Sequence, residues 1–404
     1  MGETEKKDKF ESVIDLTQRL VRINSEAIQT EHEMERFLWN YLEELGFFLE
    51  LVPYRHKRNN IIAIYPNFES YPIDRYIAFS GHMDTVPGYK ENEGFVKEGK
   101  LYGRGSTDMK GGIAAILTAV KNFLTEHNQS QDKLLKRKKL KRGIVLFFTV
   151  DEETGCAGVI SLTKKDTPLT QRINKDFFID LGINGEPTSL SPIISHKGVV
   201  WFELDFYGKA AHASVPHLGK NAIEMAAEFI IELKKLHRIL KSRNYLANSD
   251  ITPPTMNIGI INGGSKTNVI PDHVHLEIDR RTIPGETVDS ALEEIRSVMR
   301  KFPDEKIEVK MSHPGESYQI PQGKENELYK LVLQVCQKFG ASNQSFMEGY
   351  TEADIYYRYF GIPIINLGPG GIEQAHTETE YVETKELLKA CRIYYEILKQ
   401  FCWK

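Results

Sequence analysis

A histidine and an aspartate two residues apart stand where a predicted buried strand ends. The segment reads Ser-Gly-His82-Met-Asp84-Thr-Val-Pro-Gly. Residues i and i+2 of a strand point to one side, so the two side chains share a face. A metal-binding histidine usually donates its second ring N–H to an acceptor that fixes its tautomer. His82 and Asp84 fit a metal ligand and its orienting partner, although an isolated His-x-Asp pair more often has a structural role.

Three consecutive carboxylates follow a second predicted strand, 143–150. They are Asp151, Glu152 and Glu153, ahead of a Thr-Gly pair. Such residues repel one another unless water or a cation neutralises them, and a surface turn or a divalent cation would do so. The carboxyl ends of sheet strands are where α/β folds place ligands, which favours the cation. Adjacent side chains diverge, so one glutamate can bind metal while its neighbour faces a substrate.

Further possible ligands lie in three other motifs. Asp108 lies in a glycine-rich segment, 103–112, where it either caps the following helix or binds metal. This segment lacks the GK[ST] ending of a phosphate-binding loop and the third glycine of a dinucleotide fingerprint. Glu186 follows a predicted strand, and His376 ends a glycine-rich loop, 368–376. Each motif is weak alone, but their shared order along one predicted sheet indicates a single site.

Strands alternating with helices must position these motifs. Apolar spacing predicts an amphipathic helix at 109–124 and two opening helices at 10–23 and 31–45. Runs of β-branched and aromatic residues predict strands at 60–64, 75–80, 143–150 and 177–183. This alternation predicts an α/β fold with a mostly parallel sheet that is covered on both faces.

The pattern changes near residue 197. Strands are predicted at 198–207, 255–261, 275–282 and 306–311, with helices at 220–240 and 287–301. We interpret 198–311 as a self-contained α+β unit inserted into the first domain, which comprises 1–197 and 312–404. A chain of 404 residues is long enough for two domains, because single cores stop growing at roughly 250–300 residues.

The composition is that of an ordinary globular protein, and its charge balance argues against one class of function. Hydrophobic residues make up 41% and charged residues 27%, with a net charge of −4. This balance argues against a nucleic-acid binder that works through a broad basic field. A basic run at 133–142 carries seven lysines and arginines in ten residues. We interpret it as a solvated helix end and loop, with an anion-binding or nucleic-acid-binding patch as the alternative.

Three features favour a cytoplasmic protein. The charged opening MGETEKKDKF has no secretory signal pattern, and its lysine at position 6 departs from the myristoylation motif. No apolar run approaches the ~20 residues needed to cross a bilayer. The four cysteines are scattered, without CxxC spacing, which is typical of small buried residues in a reducing compartment and not of zinc ligands.

These motifs resemble the M20 metallopeptidase and amidohydrolase family over nearly the whole chain from His82. The segments GEPTSL, SHKG, PTMNIGIINGG, DRRTIPGET, YTEAD and GPGGIEQAH resemble its branch that deacetylates amino acids. The resemblance implies a zinc-exopeptidase-like domain with two Zn²⁺ ions, for which Co²⁺ or Mn²⁺ are possible substitutes. The implied ligands are His82 and Glu186 for one ion, Glu153 and His376 for the other, and Asp108 as the bridge.

The resemblance also implies roles around the metals. Glu152 would be the general base that activates water for attack on an amide carbonyl, and Asp84 would orient His82. A cis peptide bond is expected between Asp108 and Met109.

The inserted unit would be the family's lid and dimerisation domain. His212 would reach the active site of a partner subunit, Asn268 would contact substrate, and Arg281 would grip a substrate carboxylate. Arginine suits a planar, bidentate hold on such a group. Arg280 points the other way on its strand and is interpreted as a surface charge.

The implied function is a metal-dependent hydrolase that cleaves the amide bond of an N-acyl amino acid. It would act as a homodimer on a small molecule, with no nucleic-acid or membrane partner. Alternatives within the family are a desuccinylase acting on succinyl-diaminopimelate, a dipeptidase or a carboxypeptidase. A metal-dependent binding protein without catalysis is the alternative from another class, but such a protein would not need Glu152.

Overall fold

The protein is described by a computed structural model, and its chain divides into two compact units. The described residues are all except 1–8, 11, 28–30, 56–57, 70, 72, 91–92, 130–139, 165, 243–250, 322–324, 342–344 and 404. The first unit comprises Met1–Ile194, Ile320–Ser345 and Ile355–Lys404. The second comprises Ser195–Gln319 and Phe346–Asp354. The second unit therefore contains all of the predicted insert, 198–311.

In the described part of the chain, the helices are α1 (Ser12–Val21), α2 (Glu31–Glu44), α3 (Lys110–Gln129), α4 (Ala157–Leu162), α5 (Pro168–Arg172), α6 (Ala222–Ser242), α7 (Val288–Met299), α8 (Glu325–Lys338), α9 (Ala353–Phe360) and α10 (Thr384–Cys402), with a 3₁₀ turn at Pro216–Leu218. The strands are β1 (Phe48–Pro53), β2 (Asn59–Tyr65), β3 (Arg75–His82), β4 (Phe95–Lys97), β5 (Lys100–Tyr102), β6 (Gly143–Thr149), β7 (Phe178–Asn184), β8 (Ser195–His196), β9 (Val199–Tyr207), β10 (Ala211–His212), β11 (Thr255–Gly263), β12 (Val269–Ile270), β13 (His273–Arg281), β14 (Lys306–Gly315), β15 (Tyr318–Gln319), β16 (Phe346–Met347), β17 (Ile364–Asn366) and β18 (Tyr381–Glu383).

A six-stranded sheet with the order β1-β2-β6-β3-β7-β17 forms the centre of the first unit. Strands β6, β3, β7 and β17 are parallel neighbours, and β1 and β2 add an antiparallel edge. Every residue of β6 (GIVLFFT) is buried, so both faces of the sheet are covered, as parallel sheets require. The predicted α/β fold class is confirmed.

The helix α3 differs from its prediction, because it is not amphipathic along its first half. All residues from Lys110 to Val120 are buried. Helices α1 and α10 pack against α3, and α3 also contacts β3. The apolar spacing indicated one covered face but could not reveal the helices, distant in sequence, that cover the other.

The second unit is built on an antiparallel sheet with the order β11-β13-β9-β14. Its core combines alternate residues of β9 and β13 with one face of α6, for example Phe202, Ile278 and Phe229. Arg280 lies on this core side, fully buried, and forms ion pairs with Glu286 at 3.0 Å and Glu294 at 3.1 Å. Its interpretation as a surface charge is wrong, because the face opposite Arg281 is the one that the helices cover.

No helix among the described residues is long and apolar enough to cross a bilayer.

Most of the basic run, 133–139, lies outside the described residues. Arg142, at the end of that run, forms an ion pair with Asp180 at 2.6 Å.

Candidate metal centre

Five side chains converge in the first unit, and four of them lie at the ends of the parallel strands or in the segments that follow. They form two groups that share Asp108, and in each group the ligand atoms lie within 4.8 Å of one another. The groups are His82, Asp108 and Glu186, and Asp108, Glu153 and His376. Because β3, β6, β7 and β17 run in parallel, the residues that follow them emerge at one edge of the sheet.

His82 is the last residue of β3 and is buried. Its Nδ1 lies 3.0 Å from the backbone oxygen of Asp84, and its Nε2 lies 3.0 Å from Oδ1 of Asp108. A carbonyl only accepts, so Nδ1 carries a proton and Nε2 is the nitrogen left for a metal. The expected acceptor was the Asp84 carboxylate, but its Oδ1 is farther away, at 3.7 Å.

The carboxylate of Asp84 instead holds the acidic turn after β6. Its two oxygens accept the backbone N–H groups of Glu152 and Glu153, each at 3.1 Å. Glu153 belongs to the second ligand group, whereas Glu152 belongs to neither. The Cys156 thiol lies 3.6 Å from Oε1 of Glu152. The two neighbouring glutamates therefore take different positions around one fixed turn.

His376 completes the second group from the loop after β17. Its Nε2 lies 3.0 Å from Oε2 of Glu153 and 3.3 Å from Oδ2 of Asp108. The residue has a left-handed backbone with φ of 61°, a region in which histidine is enriched over most residues. The side chain is half-exposed, so this side of the group faces solvent.

A carboxylate that sequence reasoning missed holds the loop of Asp108. Oε1 of Glu380 accepts the backbone N–H groups of Thr107 at 2.9 Å and Asp108 at 3.1 Å. Its Oε2 accepts from the buried Arg104 at 2.6 Å. Glu380 follows His376 by four residues among other acidic residues, and nothing in that stretch distinguished it. The peptide bond between Asp108 and Met109 is cis, which confirms that prediction.

Two glycines allow these loops to approach closely. A Cβ atom at Gly112, in the first turn of α3, would overlap the carbonyl oxygen of Gly185. A Cβ atom at Gly368 would overlap the same oxygen. The turn that carries Glu186 is therefore packed against both neighbouring segments, which explains the glycine-rich motifs around Asp108 and His376.

The electrostatics of the site favour positive charge. Hydrogen bonds that His376 donates to Asp108 and to Glu153 raise the pKa of its imidazole to about 10. Burial opposes protonation of His82, but the bond to Asp108 and the nearby carboxylates raise its pKa well above the usual value. Burial and the charge of Asp108 raise the pKa of Glu153. A metal ion binds only the neutral imidazole. Metal binding would therefore release the extra protons that these two histidines hold.

The donor set fits divalent metals. It offers two imidazoles and three carboxylates, and four of these five side chains are at most 8% exposed. Nitrogen and oxygen donors without thiolates suit Zn²⁺, Co²⁺ or Mn²⁺, and the shared Asp108 allows two ions side by side.

The remaining predicted residues lie in the second unit, and two of them come together there. His212, on β10, is exposed, and its Nδ1 lies 2.8 Å from Oγ of Ser214. It pairs in register with Val269 of β12, and the Ala213 N–H donates to the oxygen of Asn268 at 3.0 Å. Arg281, at the end of β13, forms a two-point ion pair with Asp279, at 2.8 and 2.9 Å.

The chain is similar to known proteins in sequence and in fold. The family model for Peptidase family M20/M25/M40 matches residues 78–400. An acetylornithine deacetylase of Klebsiella pneumoniae (strain 342) is 30% identical over 388 residues, covering 93% of this chain and 92% of the relative. A tripeptidase structure from Staphylococcus aureus subsp. aureus mu50 has a TM-score of 0.77 at 23% identity, covering 97% of this chain and 98% of that one.

A second solved structure, from Bacillus subtilis, is described as a dinuclear metal binding peptidase from the M20 family. It has a TM-score of 0.67 at 18% identity and covers 96% of this chain and 98% of its own. The family match spans far more than half of the chain and includes all five converging side chains. The chain therefore belongs to the peptidase family M20/M25/M40.

Proposed function

We propose that this protein is a di-zinc amide hydrolase that removes the acyl group of an N-acyl amino acid, as acetylornithine deacetylases do. The observation that carries the proposal is the position of Glu152, beside two ligand groups that share Asp108 and outside both of them. A protein that only bound metal would have no need of this carboxylate. The 30% identity to an acetylornithine deacetylase over nearly the whole chain supports the substrate class.

Five residues would hold the two ions. His82, Asp108 and Glu186 would bind one, and Asp108, Glu153 and His376 the other. Metal pairs of this kind polarise a carbonyl group and lower the pKa of water to near neutrality. The Bacillus subtilis relative described as dinuclear supports two ions per subunit.

The chain's own residues would then move the proton. Glu152 takes a proton from the attacking water and returns it to the leaving amine. The Asp84 carboxylate keeps that base in place through the backbone N–H of Glu152. His212 stabilises the negative oxygen of the tetrahedral intermediate, and Asn268 contacts the substrate. The products are a free amino acid and a carboxylate.

A turnover assay on a substrate panel tests this function. We expect the highest kcat/KM on N-acetylornithine, with N-succinyl-diaminopimelate and a set of dipeptides as competing substrates. The tripeptidase with the same fold makes a peptidase the second candidate function. Faster turnover of peptides than of acyl amino acids would replace the deacylase by that candidate, and no turnover of any of them would contradict both.

Arg281 is proposed to bind the substrate carboxylate. Its guanidinium is held by Asp279, and its side chain is 29% exposed, so the group is pre-positioned but accessible. Arg281→Ala should raise KM and lower kcat/KM, since a hydrogen bond to a charged group contributes about 1.5–3 kcal/mol, roughly 10- to 150-fold. With the wild-type enzyme, amidation of the substrate carboxylate should lower kcat/KM by about as much as the substitution does. With the Arg281→Ala variant, the same amidation should lower kcat/KM little further. Additive losses would show that Arg281 does not bind that carboxylate.

We also propose a cytoplasmic homodimer that forms through the second unit. All four cysteines are free and buried, as is usual in a reducing compartment. In the described part of the second unit, β11 is an edge strand, and its Ile260 and Ile261 are 42% and 52% exposed. Exposed apolar residues beside an open strand edge suit a second copy of the same surface.

A further inference from the structure

A buried group of charged side chains lies behind the acidic turn that carries Glu152. The guanidinium of Arg58 donates to both oxygens of Glu31 and, at 2.7 Å, to Oδ1 of Asp151. The hydroxyl of Tyr54 donates to the other oxygen of Asp151 at 3.0 Å. The side chains of Glu31, Asp151 and Arg58 are only 1%, 9% and 13% exposed. We call these four residues the Arg58 clamp.

The clamp acts on the residue that sets the direction of Glu152. Asp151 has a left-handed backbone with φ of 65°, and Glu152 follows it directly. Outside glycine this conformation persists only where the surroundings hold it. The Arg58 clamp holds the side chain of Asp151, while the Asp84 carboxylate holds the next two backbone N–H groups. The turn is therefore fixed from two sides, and only one of them touches Glu152 itself.

Three of the four residues of the Arg58 clamp come from a part of the chain that the family match does not reach. Glu31 begins α2, Tyr54 follows β1, and Arg58 precedes β2. All three lie before residue 78, where the match to the family model starts. The antiparallel pairing of β2 with β6 brings Arg58 beside the end of β6. The contact thus joins the antiparallel edge of the sheet to the acidic turn that carries Glu152.

We propose that Arg58 is a positioning residue for the general base Glu152 and acts through Asp151. The inference rests on the proposed function, in which Glu152 moves the proton. A guanidinium can bridge two carboxylates in a fixed plane, whereas an ammonium group cannot reproduce that geometry. Loss of the bridge would let the turn relax and move Glu152 away from the attacking water. Small displacements of a catalytic group can cost up to about 100-fold in rate.

The test is Arg58→Lys in the full-length protein, assayed with N-acetylornithine. We expect kcat to fall about 10- to 100-fold, while KM and metal content stay within about twofold of the wild type. Arg142→Lys is the matched control, because Arg142 pairs with Asp180 at the opposite end of the same strand, β6. This control should keep wild-type kcat. A purely structural role for Arg58 would lower the unfolding temperature without this selective loss of kcat.

A double variant tests the route through Asp151. Asp151→Asn keeps the size of the side chain and a residue that tolerates the left-handed backbone. If Arg58 acts through Asp151, the double variant should lose no more kcat than the worse single variant, because residues in one network are not additive. Multiplying losses would overturn the inference, as would wild-type kcat in Arg58→Lys or an equal loss in Arg142→Lys.

Two further outcomes are separated by the same assays. If Arg58→Lys fails to fold, Asp151→Asn weakens the same bridge from its other end, and kcat unchanged in that variant would overturn the inference. If Glu152→Gln is inactive while Arg58→Lys is fully active, the inference fails and the proposed function stands. A wild-type protein that turns over no acyl amino acid overturns both.

Discussion

Glu152→Gln is expected to abolish measurable turnover while metal content stays near two ions per chain. The substitution removes a proton acceptor that belongs to neither ligand group. General bases contribute roughly 10²- to 10⁴-fold, so the loss should reach at least about 100-fold. Metal analysis of the purified variant, together with kcat on N-acetylornithine, measures both parts of the expectation.

The neighbouring glutamate supplies the matched control. Glu153→Gln makes the same chemical change one residue later, but Oε2 of Glu153 lies 3.0 Å from the ligand nitrogen of His376. This variant should lose metal from the second group. The role of Glu152 as base is contradicted if its variant keeps appreciable activity or loses metal to the same extent.

Mixed dimers should recover activity that neither parent possesses. If His212 serves the active site of the neighbouring subunit, Glu152→Ala and His212→Ala each give inactive homodimers. In a mixed dimer, one site takes Glu152 from one chain and His212 from the other, so that site is complete. Random pairing makes half of the dimers mixed with one complete site in two, so about a quarter of wild-type activity should return in a two-fold dimer.

The experiment needs exchange of subunits, by co-expression or mild denaturation, and a sizing column to show that dimers form. The exposed position of His212 on the second unit is compatible with service to another subunit. Verified mixed dimers without activity would assign His212 to its own subunit's site or remove it from catalysis. The control is each single variant taken alone through the same exchange procedure, which should stay inactive.

The sequence predicted what depends on local pattern or on motifs. The strands before His82, Asp151 and Glu186 are rich in β-branched and aromatic residues, and the observed strands β3, β6 and β7 coincide with their predicted ranges within two residues. The motifs carried all five side chains that the structure brings together. Their roles as ligands, and those of Glu152, Asp84, His212, Asn268 and Arg281, remain predictions.

The sequence could not predict what depends on remote partners. Arg58 meets Asp151 across 93 positions of the chain, and Glu380 meets Asp108 across 272. No periodicity links such pairs, and neither residue differs in type from its charged neighbours. The two errors have the same origin: one face of α3 and the side chain of Arg280 were assigned to solvent because the elements that cover them lie elsewhere in the chain.

The interrupted course of the first unit has a consequence for biosynthesis. Its opening segment, Met1–Ile194, carries His82, Asp108, Glu153 and Glu186, and the whole of Ser195–Gln319 is translated before β17 can pair with β7. At that stage the nascent chain has β7 as an unpaired edge of the sheet and two of the three residues of the second ligand group, Asp108 and Glu153. His376 and Glu380 reach it only after β17 has been made. Under our proposal, stable binding of the second ion is therefore among the last events of folding. It follows the synthesis of nearly all of both units.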